Sequence, residues 1–445
     1  MAGLSNVEAE AAIIGAMLQD NRLIDRAADR LSGDDFSEPA YAGLFPIIAG
    51  EAAQGKNVNP ITLRPWFDDT AHLMELTGRS GLAIGFGSFV DQVSDLSKRR
   101  RIAEGLQDAI GLANDGASSV DEVVECADAA CMPHEAQEGV LQLSGADAAG
   151  RLLRSYDEPR YGVTCSTIKQ FDDVAGKLRP KELVILAGRP GMGKTAVALS
   201  YALGAAQGGH GVLYTSLEMG ADQLAGRMLA DMCFDGQRGI FYSKIRDGDV
   251  GRDEISRLRD AEAMMQDMPL RILDAGKLTT GRLSMIVRRT KRRMEAKGEK
   301  LDLVIVDYLQ LLHPDHKAGS VYEKVSEISM ALKAIAKTHD VAVLALAQLS
   351  RGVESREGKR PQLSDLRDSG QIEQDADAVI FLLRQEYYLK QEEPEAGSKD
   401  YLDWKAEFEK SQGKIEFICA KRRNGTTGSA FGTFYGAYQA VRSAG

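Results

Sequence analysis

The stretch Gly188-Arg189-Pro190-Gly191-Met192-Gly193-Lys194-Thr195 constrains this chain more than any other. It follows the apolar run LVILA at 183–187 and precedes AVALSYAL at 196–203. The first run is of strand type and the second of helix type. Between a strand and a helix, the spacing G-x-x-x-x-G-K-S/T makes a phosphate-binding loop. The glycines let the backbone close tightly. The amides from Gly188 to Ala196, with the positive end of the following helix, then point at an anion. Lys194 is placed to reach β- and γ-phosphates, and Thr195 to set its hydroxyl on Mg²⁺. An ordinary glycine-rich turn would need the glycines but not the fixed Lys-Thr pair. The chain is therefore expected to bind a nucleoside triphosphate, with the remaining question being what the hydrolysis drives.

Length and charge narrow the answer. The 445 residues suggest two or three domains. No apolar run approaches the roughly 18 residues of a membrane-spanning helix. The first residues carry Glu8 and Glu10 and no basic region, so no secretory signal is expected. The five cysteines, Cys126, Cys131, Cys165, Cys233 and Cys419, are odd in number and form no C-x-x-C pair, which reads as reduced thiols in a cytosol. The formal net charge is -10, which argues against a uniformly basic nucleic-acid binder. It is unevenly spread. Residues 1–140 carry 10 Lys and Arg against 23 Asp and Glu, and the remainder carries 45 against 42. Phosphate contacts need local cations, so nucleic acid is expected on the second part and protein partners on the first.

Residues 1–132 read as a small all-helical domain. Val7, Ala11, Ile14 and Leu18 repeat at helical spacing, and further helices are expected at 21–31, 39–53, from Thr62 with Pro65 in its first turns, at 88–114, and from a Ser118-Ser119 cap to about 132. Residues 133–162 form a linker: a polar connector, then a short amphipathic helix near 146–156 bearing Ala149, Leu152 and Leu153 on one face, which Asp157-Glu158-Pro159 ends. That helix suits docking on a neighbouring subunit and packing on its own domain equally well. From 163 to 445 the period changes. Short apolar strands at 183–187, 211–216, 270–273, 303–306, 341–346, 378–383 and 414–420 alternate with helices, the mark of a mostly parallel α/β sheet. Residues 385–412 interrupt this pattern as a polar, charge-rich segment, and 428–441 add strand-like material.

Several strand ends carry polar groups. The run LDLVIVD ends in Asp307, the form of an acid that holds Mg²⁺ through water. Glu218 ends the strand that follows the P-loop helix, where a carboxylate could orient the attacking water; from spacing alone a solvated Glu fits as well. Gln348 ends another central strand and could sense the γ-phosphate. Lys421-Arg422-Arg423-Asn424-Gly425 is a basic turn with an Asn-Gly hairpin signal. Three cations there repel one another unless an anion meets them, either DNA or the nucleotide of a neighbouring subunit; a solvated loop is the alternative. Arg351, Arg356, Lys359, Arg360 and the run 365–370 make a polar loop between strands that suits a sugar-phosphate backbone. The basic run 282–300 reads as the solvated face of a helix.

Taken together these motifs resemble the DnaB-like replicative DNA helicase family. The residues that carry the resemblance are AGRPGMGKT at 187–195, SLEM at 216–219, DYLQLL at 307–312, VSEISMAL at 325–332, QLSR at 348–351, KRPQLSDLRDSGQIEQDAD at 359–377 and KRRNGTTG at 421–428. They cover 163–440 in order, and VEAEAAIIGAML at 7–18 extends the likeness more weakly. The resemblance implies a RecA-like P-loop ATPase domain behind a small all-α N-terminal domain and a linker helix. It implies a homo-hexameric ring that encircles single-stranded DNA, moves along it 5′ to 3′ by hydrolysing ATP, and works in a bacterial or phage-infected cytoplasm. It also implies primase and a helicase loader as partners of the N-terminal domain.

Residue by residue, the resemblance makes Lys194 and Thr195 the phosphate and Mg²⁺ ligands, Glu218 the catalytic base, Asp307 the second Mg²⁺ residue and Gln348 the sensor. Arg423 becomes an arginine finger reaching the neighbour's ATP with Lys421 beside it, and Arg367, Asp368, Gly370 and Lys359 become DNA contacts. Asp368 stands where the family usually has Glu, and Gly220 where it has Pro, which marks a divergent member. Two rivals remain: a RecA-like ATPase that binds DNA without unwinding it, and a non-hydrolysing scaffold for primase or loader. The helical domain and the basic hairpin argue against the first, and the intact Lys194, Glu218, Asp307 and Arg423 against the second.

Overall fold

A computed structural model describes residues 4–67, 69–78, 85–116, 118, 120–130, 144–156, 162–315, 319–366, 370–395 and 398–444. The expected connector at 133–143 and the helix stop at 157–159 lie outside the described residues, as does Ser119 of the proposed cap. The chain divides into two compact units, Met1–Arg151 and Leu152–Gly445.

The first unit is helical, with helices Val7–Gln19, Arg22–Ala28, Pro39–Ala53, Thr70–Gly78, Phe86–Asn114 and Val120–Ala130. The Asn6 side chain accepts the Ala9 amide at 3.0 Å and so caps the first helix. Ile13, Ile14, Met17, Leu44, Ile48, Leu63 and Leu73 form its core. Two acids of the acidic half are structural. Buried Glu10 accepts the Ser37 and Glu38 amides at 2.8 and 3.0 Å, just ahead of the helix Pro39–Ala53. Buried Asp35 accepts from Ser97 at 2.7 Å and Arg101 at 2.8 Å. The helix expected from Thr62 is absent: residues 61–66 form turns, and the helix starts at Thr70. Pro65 explains the difference. The Asn59 Oδ1 accepts the Ile61 and Thr62 amides at 3.0 and 3.1 Å, and the Thr62 hydroxyl donates back to the Asn59 carbonyl at 2.9 Å, which caps a turn here. Pro65 then has no amide to donate to Ile61, and its ring crowds that carbonyl, so the turn does not extend into a helix. The helix Gly145–Tyr156 forms where a short amphipathic one was expected, with Leu152 and Leu153 exposed.

The second unit is built on a sheet of nine strands: β1 (Leu183–Gly188), β2 (Gly211–Ser216), β3 (Leu270–Asp274), β4 (Leu301–Asp307), β5 (Ala342–Gln348), β6 (Ala378–Leu383), β7 (Lys414–Arg422), β8 (Gly428–Tyr435) and β9 (Ala440–Ser443). Their order is β3-β2-β4-β5-β1-β6-β7-β8-β9. The first six in that order pair in parallel, and β7, β8 and β9 add antiparallel. β1, β2, β4 and β6 are buried along their whole length, as expected for parallel strands covered on both faces. The helix Lys194–Gln207 packs against this sheet and is itself buried from Ala196 to Ala206.

The segment expected as a polar interruption folds into helices Gln385–Leu389 and Lys399–Ser411. The Trp404 indole donates to the Leu389 carbonyl at 2.8 Å, and its ring stacks on Phe408 at 5.2 Å. Tyr401, Trp404 and Phe408 recur at helical spacing along this second helix and form its partly covered face. The basic run at 282–300 is largely a helix, Thr280–Glu295, with Arg282, Arg289, Arg292 and Arg293 exposed.

Phe417 is fully buried on β7 and meets Phe171 edge-on at 5.6 Å. Phe417→Ala is expected to destabilise the second unit by about 3–5 kcal/mol, read as a lower denaturation midpoint.

Candidate active site

Parallel pairing brings four strand ends together. Gly188 lies opposite Gln348, and Ser216 opposite Asp307, so the loops after β1, β2, β4 and β5 open at one edge of the sheet. A cavity of about 400 Å³ lies there, lined by Pro190, Gly191, Gly193, Lys194, Thr195, Ala196, Glu218, Asp307 and Gln348 from the expected set. Gly191 and Gly193 have φ of +80° and +90°, which side-chain-bearing residues rarely adopt. The turn is also covered closely: an added Cβ at Gly191 would meet the Tyr387 ring, and one at Gly193 the Phe434 ring.

Lys194 donates to the Gly188 and Arg189 carbonyls at 2.9 and 3.3 Å. Burial pushes its amine down to about 8, against the pull of Asp307 and Glu218. Asp307 is 4% exposed and accepts from the Tyr214 hydroxyl at 2.8 Å. Burial raises its carboxyl above the usual range, while hydrogen bonds from Tyr214 and Thr195 lower it. A hydroxyl and a carboxylate from different elements thus converge, the oxygen donor set that suits Mg²⁺ with phosphate and water completing it. No cluster of three or more His, Cys, Asp or Glu side chains able to hold a metal occurs among the described residues. Glu218 is exposed and faces this cavity. Gln348 exchanges bonds with Gln310: its carbonyl accepts at 3.2 Å and its amide donates at 3.3 Å, which ties the end of β5 to the segment after β4.

Other expected residues sit elsewhere. The Arg189 side chain does not line the cavity. It is buried against Glu354 at 2.8 Å and the Leu349 carbonyl at 2.9 Å, so only its backbone belongs to the cradle. Met192 is buried in the core. Arg423 and Lys421 are also away from the cavity. β7 runs antiparallel to β6, and Arg422 lies opposite Ala378, which pairs with Val184 near the start of β1. The basic turn is therefore at the opposite edge of the sheet from the P-loop. Burial, then the neighbouring Arg423 charge, lowers the Lys421 amine.

Of the expected DNA contacts, Arg367 and Asp368 lie outside the described residues, and Gly370 opens the helix Gly370–Asp375. Lys359 pairs with Glu392 and sits 4.8 Å over the Tyr388 ring. Its neighbours are paired too, Arg356 to Asp365 and Arg360 to Glu416, each through two bonds of 2.8–2.9 Å. The basic side chains expected to be open to phosphate are largely held by acids.

The cavity also includes Arg227, Tyr308, Phe434 and Gln439, which sequence reasoning missed. Arg227 follows Glu218 on the helix Ala221–Met232, and its Nε is buried without a partner. Arg384 stacks 3.9 Å over Phe434 and donates to the Gly191 carbonyl at 3.1 Å. A cation on a helix after an acid-ended strand was a usable signal for Arg227. Phe434 reaches the site only because β8 runs back beside β7.

The chain is similar to known proteins along both units. The family model described as DnaB-like helicase C terminal domain matches residues 162–443, and that of the DnaB-like helicase N terminal domain matches 3–92. The chain belongs to the DnaB-like replicative helicase family. It is 32% identical to replicative DNA helicase DnaB of Rickettsia conorii, over 96% of this chain and 90% of that one. It is 30% identical to replicative DNA helicase DnaC of Bacillus subtilis, over 95% and 91%. A solved DnaB-like replicative helicase, studied with its interactions with primase, is 28% identical, with 98% of this chain and 99% of that chain covered and a TM-score of 0.65. The chain is an ATP-hydrolysing replicative DNA helicase, and its RecA-like sheet is the ATPase part.

With Lys194 as the expected phosphate ligand, its lowered amine predicts pH-dependent nucleotide binding. A bound triphosphate favours the charged amine, so binding near pH 8 takes up a proton, and affinity falls as pH rises above about 8. Calorimetry of a non-hydrolysable ATP analogue in buffers of different ionisation heat reads the uptake. In the unbound protein the same shift works the other way on stability. The unfolded chain holds that proton more tightly, so Lys194 adds stability as pH rises from about 8 towards its ordinary value.

Proposed function

We infer that the chain works as a homo-hexameric ring that encircles single-stranded DNA and moves along it by hydrolysing ATP. The observation that carries this is the separation of cations. The P-loop opens at one edge of the sheet, and Lys421 and Arg423 stand at the other. A basic turn that cannot serve its own cavity fits a nucleotide held by a neighbour, which makes hydrolysis conditional on assembly.

In this scheme Gly188 to Ala196 cradle the phosphates, and Lys194 neutralises their charge. Thr195 and Asp307, the latter through water, would hold Mg²⁺, which would supply neutralisation of phosphate charge. Glu218 takes the proton of the attacking water. The partner subunit's Arg423, with the partner subunit's Lys421, stabilises the charge that develops on the transferred phosphoryl group. Gln348 senses the γ-phosphate, and its bonds to Gln310 carry that signal across the sheet edge. Arg367, Asp368, Gly370 and Lys359 contact the DNA backbone, with Lys359 leaving Glu392 to do so. The acidic helical unit (about 1–132), joined through a linker (133–162) to the ATPase domain (163–445), serves primase and a helicase loader. The solved helicase named for its interactions with primase supports that assignment. The likeness to bacterial replicative helicases supports work in the cytoplasm.

Glu218→Gln is expected to keep nucleotide binding and lose at least about a hundredfold in ATP turnover. Turnover that survives the change would remove Glu218 as the base. Mass in solution with Mg²⁺-nucleotide is expected at six chains, and a monomer whose hydrolysis ignores single-stranded DNA would contradict the ring.

A further inference from the structure

The basic turn is fastened to its own subunit by contacts that the hydrolysis scheme does not use. Asp377 stands one residue before β6, with its side chain 11% exposed. Its Oδ2 accepts the Leu183 amide at 2.8 Å and the Lys333 ammonium, from the helix Val321–His339, at 2.5 Å. Its Oδ1 faces Arg423 Nη1 at 3.4 Å, and its carbonyl accepts the Arg423 amide at 2.8 Å. Arg423 Nη2 donates to the Gln374 carbonyl, and Lys421 donates to the Glu373 carbonyl. Both carbonyls belong to the last turn of the helix Gly370–Asp375, an end that favours cations.

These contacts are unequal. The Arg423 backbone is fixed, whereas its side chain is 45% exposed and its ion pair is long. Asp377 is nearly enclosed and must stay paired, because an unpaired buried carboxylate is costly. Lys333, 16% exposed, meets that need without Arg423. The guanidinium can therefore leave without stranding the acid. The helix that holds it begins at Gly370, a residue assigned above to DNA, and is only six residues long. A backbone contact at one end bears on the hold at the other.

We propose that Asp377 is a positioning residue that holds the Arg423 side chain on its own subunit between turnovers, and that release of this contact, with Lys333 keeping Asp377 paired, lets Arg423 reach the phosphate of a neighbouring subunit. The proposal rests on the reading of Arg423 as a finger in trans. Asp377 touches no nucleotide and acts only through Arg423.

The test is ATP turnover of the full chain and its variants, with and without single-stranded DNA, beside mass in solution. Asp377→Asn keeps the shape and the acceptor for Leu183 and removes the charge. It is expected to raise DNA-free turnover roughly two- to fivefold, the range an exposed ion pair supports, and to shrink the fold stimulation by DNA. Lys333→Met leaves Arg423 as the acid's remaining cation and is expected to move both quantities the opposite way. The double variant Asp377→Asn/Arg423→Ala should match Arg423→Ala alone. Parallel losses with and without DNA in both single variants would mark Asp377 as merely structural and overturn the proposal. Should Asp377→Asn fail to fold, Lys333→Met decides, and DNA-free turnover that is not lowered overturns it. Full turnover by Arg423→Ala would remove the finger reading and the proposal together. A dead Arg423→Ala beside an unaltered Asp377→Asn removes the proposal alone.

Discussion

The parallel register of β1, β2, β4 and β5 is the constraint on which the site depends. Parallel pairing forces strands to end on the same edge, so Gly188, Ser216, Asp307 and Gln348 come together although they lie far apart in the chain. Each strand is apolar enough to be buried on both faces, and the polar group that lines the cavity comes at its end or just past it. The cavity is a consequence of that arrangement. Burial there shifts the groups it contains: the Lys194 amine moves down and the Asp307 carboxyl up.

The antiparallel turn at β7 has the opposite effect. Reversing direction after β6 sends Lys421 and Arg423 to the far edge and returns Phe434 on β8 to the near one. One hairpin thus supplies an aromatic wall to its own cavity and presents cations away from it. This division gives a physical reason for a subunit to depend on a second copy. Arg189 adds a link within the subunit, joining the P-loop to the loop after β5 through Glu354 and the Leu349 carbonyl.

What could be read in the sequence was local. The P-loop, the acid after LVIV and the basic turn are contiguous motifs, and buried parallel strands are continuous apolar runs, so their positions were legible within a residue or two. What could not be read depended on contacts between distant segments. The helix Lys399–Ser411 looks polar because only its Tyr401, Trp404 and Phe408 stripe is partly covered. At Thr62 no helix forms, because Asn59 places the cap three residues earlier and so moves Pro65 beyond the first turn, where proline breaks a helix. Lys359, Arg356 and Arg360 looked like open cations because Glu392, Asp365 and Glu416 are not beside them in a linear motif. Arg384 reaches the site only through Phe434 and the Gly191 carbonyl, which lie far from it in the chain, whereas Arg227 carried a local signal.

The central claim is that each active site is completed by a second copy of the chain, and mixing two inactive variants tests it most directly. Lys194→Ala lacks a working cradle but keeps Arg423; Arg423→Ala keeps the cradle but lacks the finger. Co-assembled, some interfaces join the intact cradle of one to the intact finger of the other. The account predicts ATP turnover in the mixture that neither variant shows alone, greatest near equal proportions. No turnover at any ratio, in rings shown by mass to contain both variants, would contradict it.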